Sequence, residues 1–288
     1  FSRILLLLLI MTDSESPAPA KSMPRSFAAL ESIPFRWLLS SLGTFFLAMQ
    51  GQLVVRSLLT YELTESPFAL AMVNLVVATP MSIGLLFSGA IIDRVERRGL
   101  TIISQAIVLI NELVVFVLLV SGKLEYWHLL ATAFVLGVNF PFLMPTRTAM
   151  IYSLVGRDKL GNAMALQATS LNIARIVGPA GMGLLIPLIS MAGAYLLSIL
   201  LYGFSIYAML MLPKSYPENK TKKDFMEDVT YSFKYVSRNR PIFLCLIFGL
   251  LPMLLALPVI SLLVVFTESI WNVGETALGI MMASVGVG

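Results

Sequence analysis

Histidine and cysteine are almost missing from this chain: its 288 residues contain one of each, His128 and Cys245. A single cysteine excludes an intramolecular disulfide and any multi-cysteine metal site. The single histidine follows Tyr126 and Trp127 at the start of an apolar run, where an interfacial aromatic belt is expected. It reads as an interface residue rather than a ligand or base. Charge is scarce too, at 12% of residues against 58% hydrophobic. The mean hydropathy of +0.87 lies far above that of a soluble domain of this size. A net charge of +4 in such a chain does not point to nucleic acid. No G-x-x-x-x-G-K-[ST] stretch is present, which argues against ATP-driven transport by this chain itself. No loop is long enough to house a soluble active site. An integral-membrane enzyme acting on lipid and a signalling or assembly protein stay as alternatives to transport.

What is abundant is long apolar sequence, which predicts spans at 36–61, 68–92, 100–120, 127–152, 162–189 and 192–212. A seventh follows at 242–266, and an eighth starts near 276. Each complete span reaches the roughly 20 residues that a bilayer needs. The tail before them, 1–34, is rich in Ser, Pro and Ala and reads as disordered and cytoplasmic. Its first ten residues precede Met11 and read as read-through or a cloning remnant. Residues 35–212 form a six-span bundle. Residues 213–240 form a cytoplasmic linker, in which Phe225, Val229, Phe233 and Val236 mark an amphipathic helix. Residues 241–288 begin a second bundle. Nearly all of the 20 Lys and Arg fall in the tail, in 93–98, in 157–159 and in 214–240, whereas the opposite loops hold only Lys123. The positive-inside rule therefore puts the N-terminus in the cytoplasm of a multi-pass protein of the cell (cytoplasmic or inner) membrane.

Two stretches say more than topology. The first is Gly89-Ala90-Ile91-Ile92-Asp93-Arg94-Val95-Glu96-Arg97-Arg98. Four residues separate Gly89 from Asp93, so both share a helical face, with Gly89 permitting close helix approach. The pattern resembles the loop between the second and third spans of the major facilitator superfamily, G-x-x-x-D-R-x-x-R-R. Glu96 is a departure, standing where many members have a second glycine. The second stretch runs from Asn172 to Gly183 in the fifth span. Ala174, Gly178, Gly181 and Gly183 offer a smooth packing surface, Pro179 introduces a bend, and Arg175 places a charge in mid-span. Gly178-Pro179 to Gly183 is similar to the family's proton-antiporter motif G-P-x-x-G-G, with Met182 breaking the final pair. With Asp158-Lys159-Leu160-Gly161-Asn162, it resembles the macrolide- and siderophore-exporter branch. A weak repeat also appears, residues 69–72 (ALAM) and 277–280 (ALGI) standing at an offset of 208.

The resemblance covers residues 34–288 and implies an all-α polytopic fold, with a six-helix first bundle and one and a half helices of the second. It implies proton-coupled export of a small hydrophobic or amphipathic compound by alternating access. The protein is expected to be a monomer when full length, and further spans are expected beyond residue 288. No cofactor or metal is expected; the partners are the substrate, protons and the lipid bilayer. The family's first, second, fourth and fifth helices line the cavity, which makes Gln50, Arg56, Asn139 and Arg175 candidate substrate or coupling residues. Glu112 is the only carboxylate deep in a span, so it either carries a proton or, if the third helix is peripheral, pairs with an arginine. Gly89, Asp93, Arg94, Arg97 and Arg98 form the candidate gating loop. Arg147 is expected to partner Asp93 or the interface, while Gln52 and Asn74 read as helix–helix hydrogen bonds.

Overall fold

The helices begin where the sequence offers a cap. The computed structural model describes residues 25–217, 262–271 and 273–286, with a few positions between 235 and 248. Ser32 starts α1 (Ile33–Thr64) by accepting a hydrogen bond from the Phe35 N–H. Ser66 does the same for α2 (Pro67–Ile92) through Ala69. In both, a proline in the first turn sits where an N–H would have no helical partner. The Glu96 carboxylate caps α3 (Arg97–Val120), accepting from the N–H groups of Arg98 and Gly99. At α4 (Tyr126–Val155) the cap is reciprocal, with His128 Nδ1 accepting from the Glu125 N–H at 3.0 Å. His128, placed at the interface by its neighbours, is therefore also a capping residue.

α5 runs over Leu160–Leu210, 51 residues. A straight helix of that length would reach about 76 Å, far beyond a bilayer core of about 30 Å. It breaks at Ser190, whose φ of 66° and ψ of 170° are not helical. The arms 160–189 (α5a) and 191–210 (α5b) are thus the fifth and sixth spans, divided where the hydropathy pattern divides them. A π-helical turn, Phe266–Ile270, and α6 (Gly274–Val285) follow. Among the described residues five helices are long and apolar enough to cross a membrane, α5 counting as one of them. The described residues contain no strand.

α1 is the spine of the bundle and packs chiefly along α5, while α2 packs on α4 and α6 on α5. Three apolar clusters are strung along α1. Phe35 and Leu38 meet Met150, Ile151 and Met209. Leu42, Phe45 and Phe46 meet Val108, Leu143 and Tyr202. Val54, Val55, Leu58 and Leu59 meet Val115, Met182 and, from α6, Leu278 and Met282. Between the first two clusters lies a buried polar knot. The Ser41 and Ser205 hydroxyls are 3.0 Å apart, and the Gln105 amide donates to both at 3.1 Å. Such bonds tie α1, α3 and α5b together where apolar contact with lipid and with protein are nearly equivalent.

Part of the tail is helical and docked, contrary to what its composition implies. Arg25–Glu31 is a 3₁₀ turn whose Ala29 is fully buried, with its N–H bound to the Asn162 side chain at 2.9 Å. Lys159 pairs with Glu31 at 2.6 Å, and Ser32 bonds the Leu154 carbonyl. The apolar run Phe27–Leu30 gives this segment something to dock, which the preceding Ser- and Pro-rich stretch lacks. The expectation of a disordered tail up to residue 34 is corrected for residues 25–34, and residues 1–24 lie outside the described residues. Most of the linker, with Phe225, Val229 and Phe233, and most of the seventh span lie outside them too.

Candidate functional site

A cavity of about 640 Å³ opens between the helices, within the size range of ligand pockets. Its wall draws on every described span: α1 from Phe45 to Thr60, α2 from Leu70 to Met81, Val108 and Glu112 of α3, α4 from Leu136 to Met144, Leu171, Arg175 and Pro179 of α5a, Tyr202 of α5b and Met282 of α6. The structure places Gln50, Arg56, Glu112, Asn139 and Arg175 in this one wall. They come from four helices, and the bundle is what brings them together.

Glu112 and Arg56 form an ion pair at 2.8 Å, with side chains 1% and 13% exposed. This is the pairing with an arginine that was one of the two expectations for Glu112, although the third helix, expected to be peripheral, does reach the cavity wall through Val108 and Glu112. Among the described residues only one carboxylate oxygen is engaged; Glu112 Oε2 and Arg56 Nε have no hydrogen-bond partner there. Asn139 donates to the Ser104 carbonyl at 2.7 Å, fixing α4 to α3 beside the cavity. Gln52 is 3% exposed and neither of its amide atoms has a partner among the described residues, so the expected helix–helix hydrogen bond is not made to any described helix. Asn74 donates to its own helix, to the Leu70 carbonyl at 2.9 Å. Arg175 is exposed in the wall, close to Gly286 of α6, and makes no hydrogen bond or ion pair with described residues.

Arg147 is the largest fully buried side chain among the described residues, and none of its three guanidinium nitrogens has a hydrogen-bond partner among them. It lies over the Phe45 ring at 4.6 Å and near that of Phe46 at 6.0 Å. The expected partnership with Asp93 is absent. Both rings also line the cavity, so they stand between it and the buried cation.

A polar stripe that sequence reasoning missed runs down α5b: Tyr195, Ser198, Tyr202 and Ser205, all buried. Spacings of three, four and three put them on one helical face, a signal present in the sequence. Tyr195 and Tyr202 lie within electrostatic reach of the Arg56–Glu112 pair.

The two motif stretches have separate structural jobs. Gly178 packs on α1: a Cβ there would lie 2.9 Å from the Leu47 carbonyl oxygen and 3.0 Å from the Gly51 nitrogen. Gly183 packs on α6: its Cβ would lie 2.7 Å from the Gly279 Cα, and Thr276 donates to its carbonyl at 3.1 Å. Gly181 meets nothing described within 4 Å, so the smooth surface is two contacts rather than one continuous face. At the same end of the bundle the Tyr61 and Ser269 hydroxyls touch, 208 residues apart. That separation equals the offset of the sequence repeat, with Tyr61 near the end of α1 and Ser269 in the π-helical turn.

In the loop, Asp93 caps α2 through its backbone, and its exposed carboxylate has no partner among the described residues. Gly89 also meets nothing within 4 Å, which corrects the expected close helix approach for the described part of the chain. Arg97 Nη1 reaches the Ala149 carbonyl at 3.5 Å, and Arg98 donates to the Leu210 carbonyl at 2.8 Å, a cation at the end of α5b where the helix dipole favours one. Arg94 is partly buried beside them. Glu96, the departure from the motif, is the busiest side chain here. Besides capping α3 it accepts from the Ser215 N–H at 3.0 Å, and the Arg97 N–H returns a bond to the Ser215 carbonyl at 2.8 Å.

A bundle of long apolar helices around a largely apolar cavity with a few charged and polar side chains in its wall, and with a basic loop at one end, is the architecture of a multi-pass membrane protein. No curated protein matches the chain. A family model described as transmembrane secretion effector matches residues 24–288, nearly the whole length, and the chain belongs to that family of membrane transporters within the major facilitator superfamily.

Proposed function

We propose that the protein exports a small hydrophobic or amphipathic compound of the drug, macrolide or siderophore class, in exchange for protons, by alternating access. The N-terminus faces the cytoplasm of the cell membrane. The observation that carries this reading is the Arg56–Glu112 pair in the cavity wall. Glu112 is the one carboxylate in the described wall, held by a single described contact, its second oxygen without a partner among the described residues. When Arg56 moves away, a carboxyl at this depth keeps its charge only at high cost, so it takes a proton. Proton binding and cavity rearrangement are then one event, as coupled exchange requires. Asp93, exposed and without a partner in the described bundle, is available to hold a second bundle at the cytoplasmic end.

The test is reconstitution of the full-length protein into liposomes containing a pH-sensitive dye. Candidate substrates should drive proton movement that Glu112→Gln abolishes while substrate binding persists. Substrate-driven proton flux of normal size in Glu112→Gln would sink the coupling role. Cysteines near Glu96 should react only from the cytoplasmic side, and one near Glu125 only from outside. The reverse labelling pattern would overturn the orientation.

A further inference from the structure

Charge in and around the cavity does not balance. Its described wall holds two guanidinium groups, Arg56 and Arg175, against one carboxylate, Glu112. Arg56 and Glu112 neutralise each other at 2.8 Å, which leaves Arg175 unopposed. Arg147 adds a second cation with no counter-charge among the described residues, fully buried beside Phe45 and Phe46 and without a described hydrogen bond on any guanidinium nitrogen. The seventh span adds no acid at that depth: residues 241–267 contain no charged side chain. An unpaired guanidinium in a low-dielectric site is expensive and draws in an anion. The Gln52 amide, 3% exposed and unpartnered, adds a free donor in the same wall. The rest of the lining is apolar and aromatic, with Phe140, Met144 and Met282 among its members.

From this we infer that the ligand of the cavity is an anionic amphipath, an apolar body with a carboxylate, phosphate or similar group that meets Arg175, rather than a lipophilic cation. The inference rests on reading this cavity as the transport site, and it narrows that reading to one charge class. The aromatic and methionine lining takes the apolar body. Arg175 supplies a planar donor pair for the acid group. Arg147 acts at a distance through the phenyl rings, raising the positive potential without touching the ligand.

The experiment compares three probes with the same apolar body: dansylated undecanoic acid, its methyl ester and the matching trimethylammonium compound. Binding to the purified full-length protein in an uncharged detergent is read from dansyl emission. The acid should bind about tenfold or more tightly than the other two, a difference of about 1.4 kcal/mol. Arg175→Gln should remove that advantage and leave ester binding unchanged, whereas Arg175→Lys should keep part of it. Ammonium binding equal to or tighter than acid binding overturns the inference. So does unchanged acid binding by an Arg175→Gln variant that melts like the parent, and so does failure of all three to bind the folded protein. Displacement of the bound acid by short-chain phosphatidylglycerol would support the same ligand class with a lipid as its source. Failure of that lipid to displace it would assign the site to a smaller soluble anion. Export from vesicles is scored separately. Acid binding without export supports the ligand class and sinks the transport reading, whereas preferential export of the ammonium compound overturns the ligand class and leaves transport standing.

Discussion

Breaking the Arg56–Glu112 pair should destabilise the bundle from either side, but with different pH dependence. The pair is buried, with Glu112 1% exposed, so removing one member leaves the other uncompensated. That costs about 3–5 kcal/mol in buried sites. Glu112→Gln leaves a guanidinium that cannot shed its proton, so its penalty is the same at pH 5 and pH 7. Arg56→Gln leaves a carboxyl that can escape by taking one up. Starting from an ordinary glutamate near 4.3, uptake costs about 3.7 kcal/mol at pH 7 and about 1 kcal/mol at pH 5. At pH 7 that is comparable with the cost of leaving the charge buried, so the carboxyl is protonated in part; at pH 5 protonation is much the cheaper. The folded variant then binds a proton that the unfolded chain binds less completely, so stability rises as pH falls. Unfolding free energies from SDS titration in mixed micelles should therefore show Arg56→Gln recovering about 2–3 kcal/mol between pH 7 and pH 5, relative to the parent. Glu112→Gln should recover nothing. The double variant Arg56→Met/Glu112→Met should regain most of the loss, because no charge is left behind. An equal and pH-independent loss in both single variants would refute the pairing as the source of stability.

Other perturbations follow from single contacts. Glu96→Ala removes the cap on α3 and the bond to Ser215, a loss of about 1–2 kcal/mol, and trypsin should then cut faster at the exposed Lys214; unchanged cleavage would place the anchor elsewhere. Arg147→Met should stabilise the bundle by about 2 kcal/mol in SDS titration, since it replaces an unpaired buried cation with an apolar side chain of similar length, and destabilisation would reveal a counter-charge. Gly183→Leu drives a side chain into the Gly279 backbone and should push α6 away. Cysteines at positions 61 and 269 should then no longer be joined by a short bifunctional thiol reagent, and undiminished cross-linking would refute the close contact.

Much of this protein was determined by its sequence alone, and for local reasons. Apolar runs of bilayer length leave helices as the only way to satisfy the backbone, so six spans could be placed within a few residues. The sequence also contained the caps: Ser32 and Ser66 before prolines, and Glu96 before α3, where the chain departs from its family's motif. Even the break at Ser190 falls between two apolar runs. What the sequence did not carry was facing. In a membrane helix the lipid side and the protein side are both apolar, so hydropathy does not say which way a polar residue points. Gln52 and Asn74 looked alike in sequence; one lines the cavity unpartnered and the other bonds its own helix. Glu112 and Arg56 are 56 residues apart, and only the packing of α3 against the inner bundle brings them to 2.8 Å. Gly178 and Gly183 share a stretch yet serve opposite neighbours, while Gly181 between them serves none described. The polar face of α5b from Tyr195 to Ser205 became meaningful only once α1 and α3 were seen to pack on it. Span, cap and charge sidedness are properties of consecutive residues, whereas a cavity and its charge balance belong to surfaces that tertiary packing assembles from distant helices.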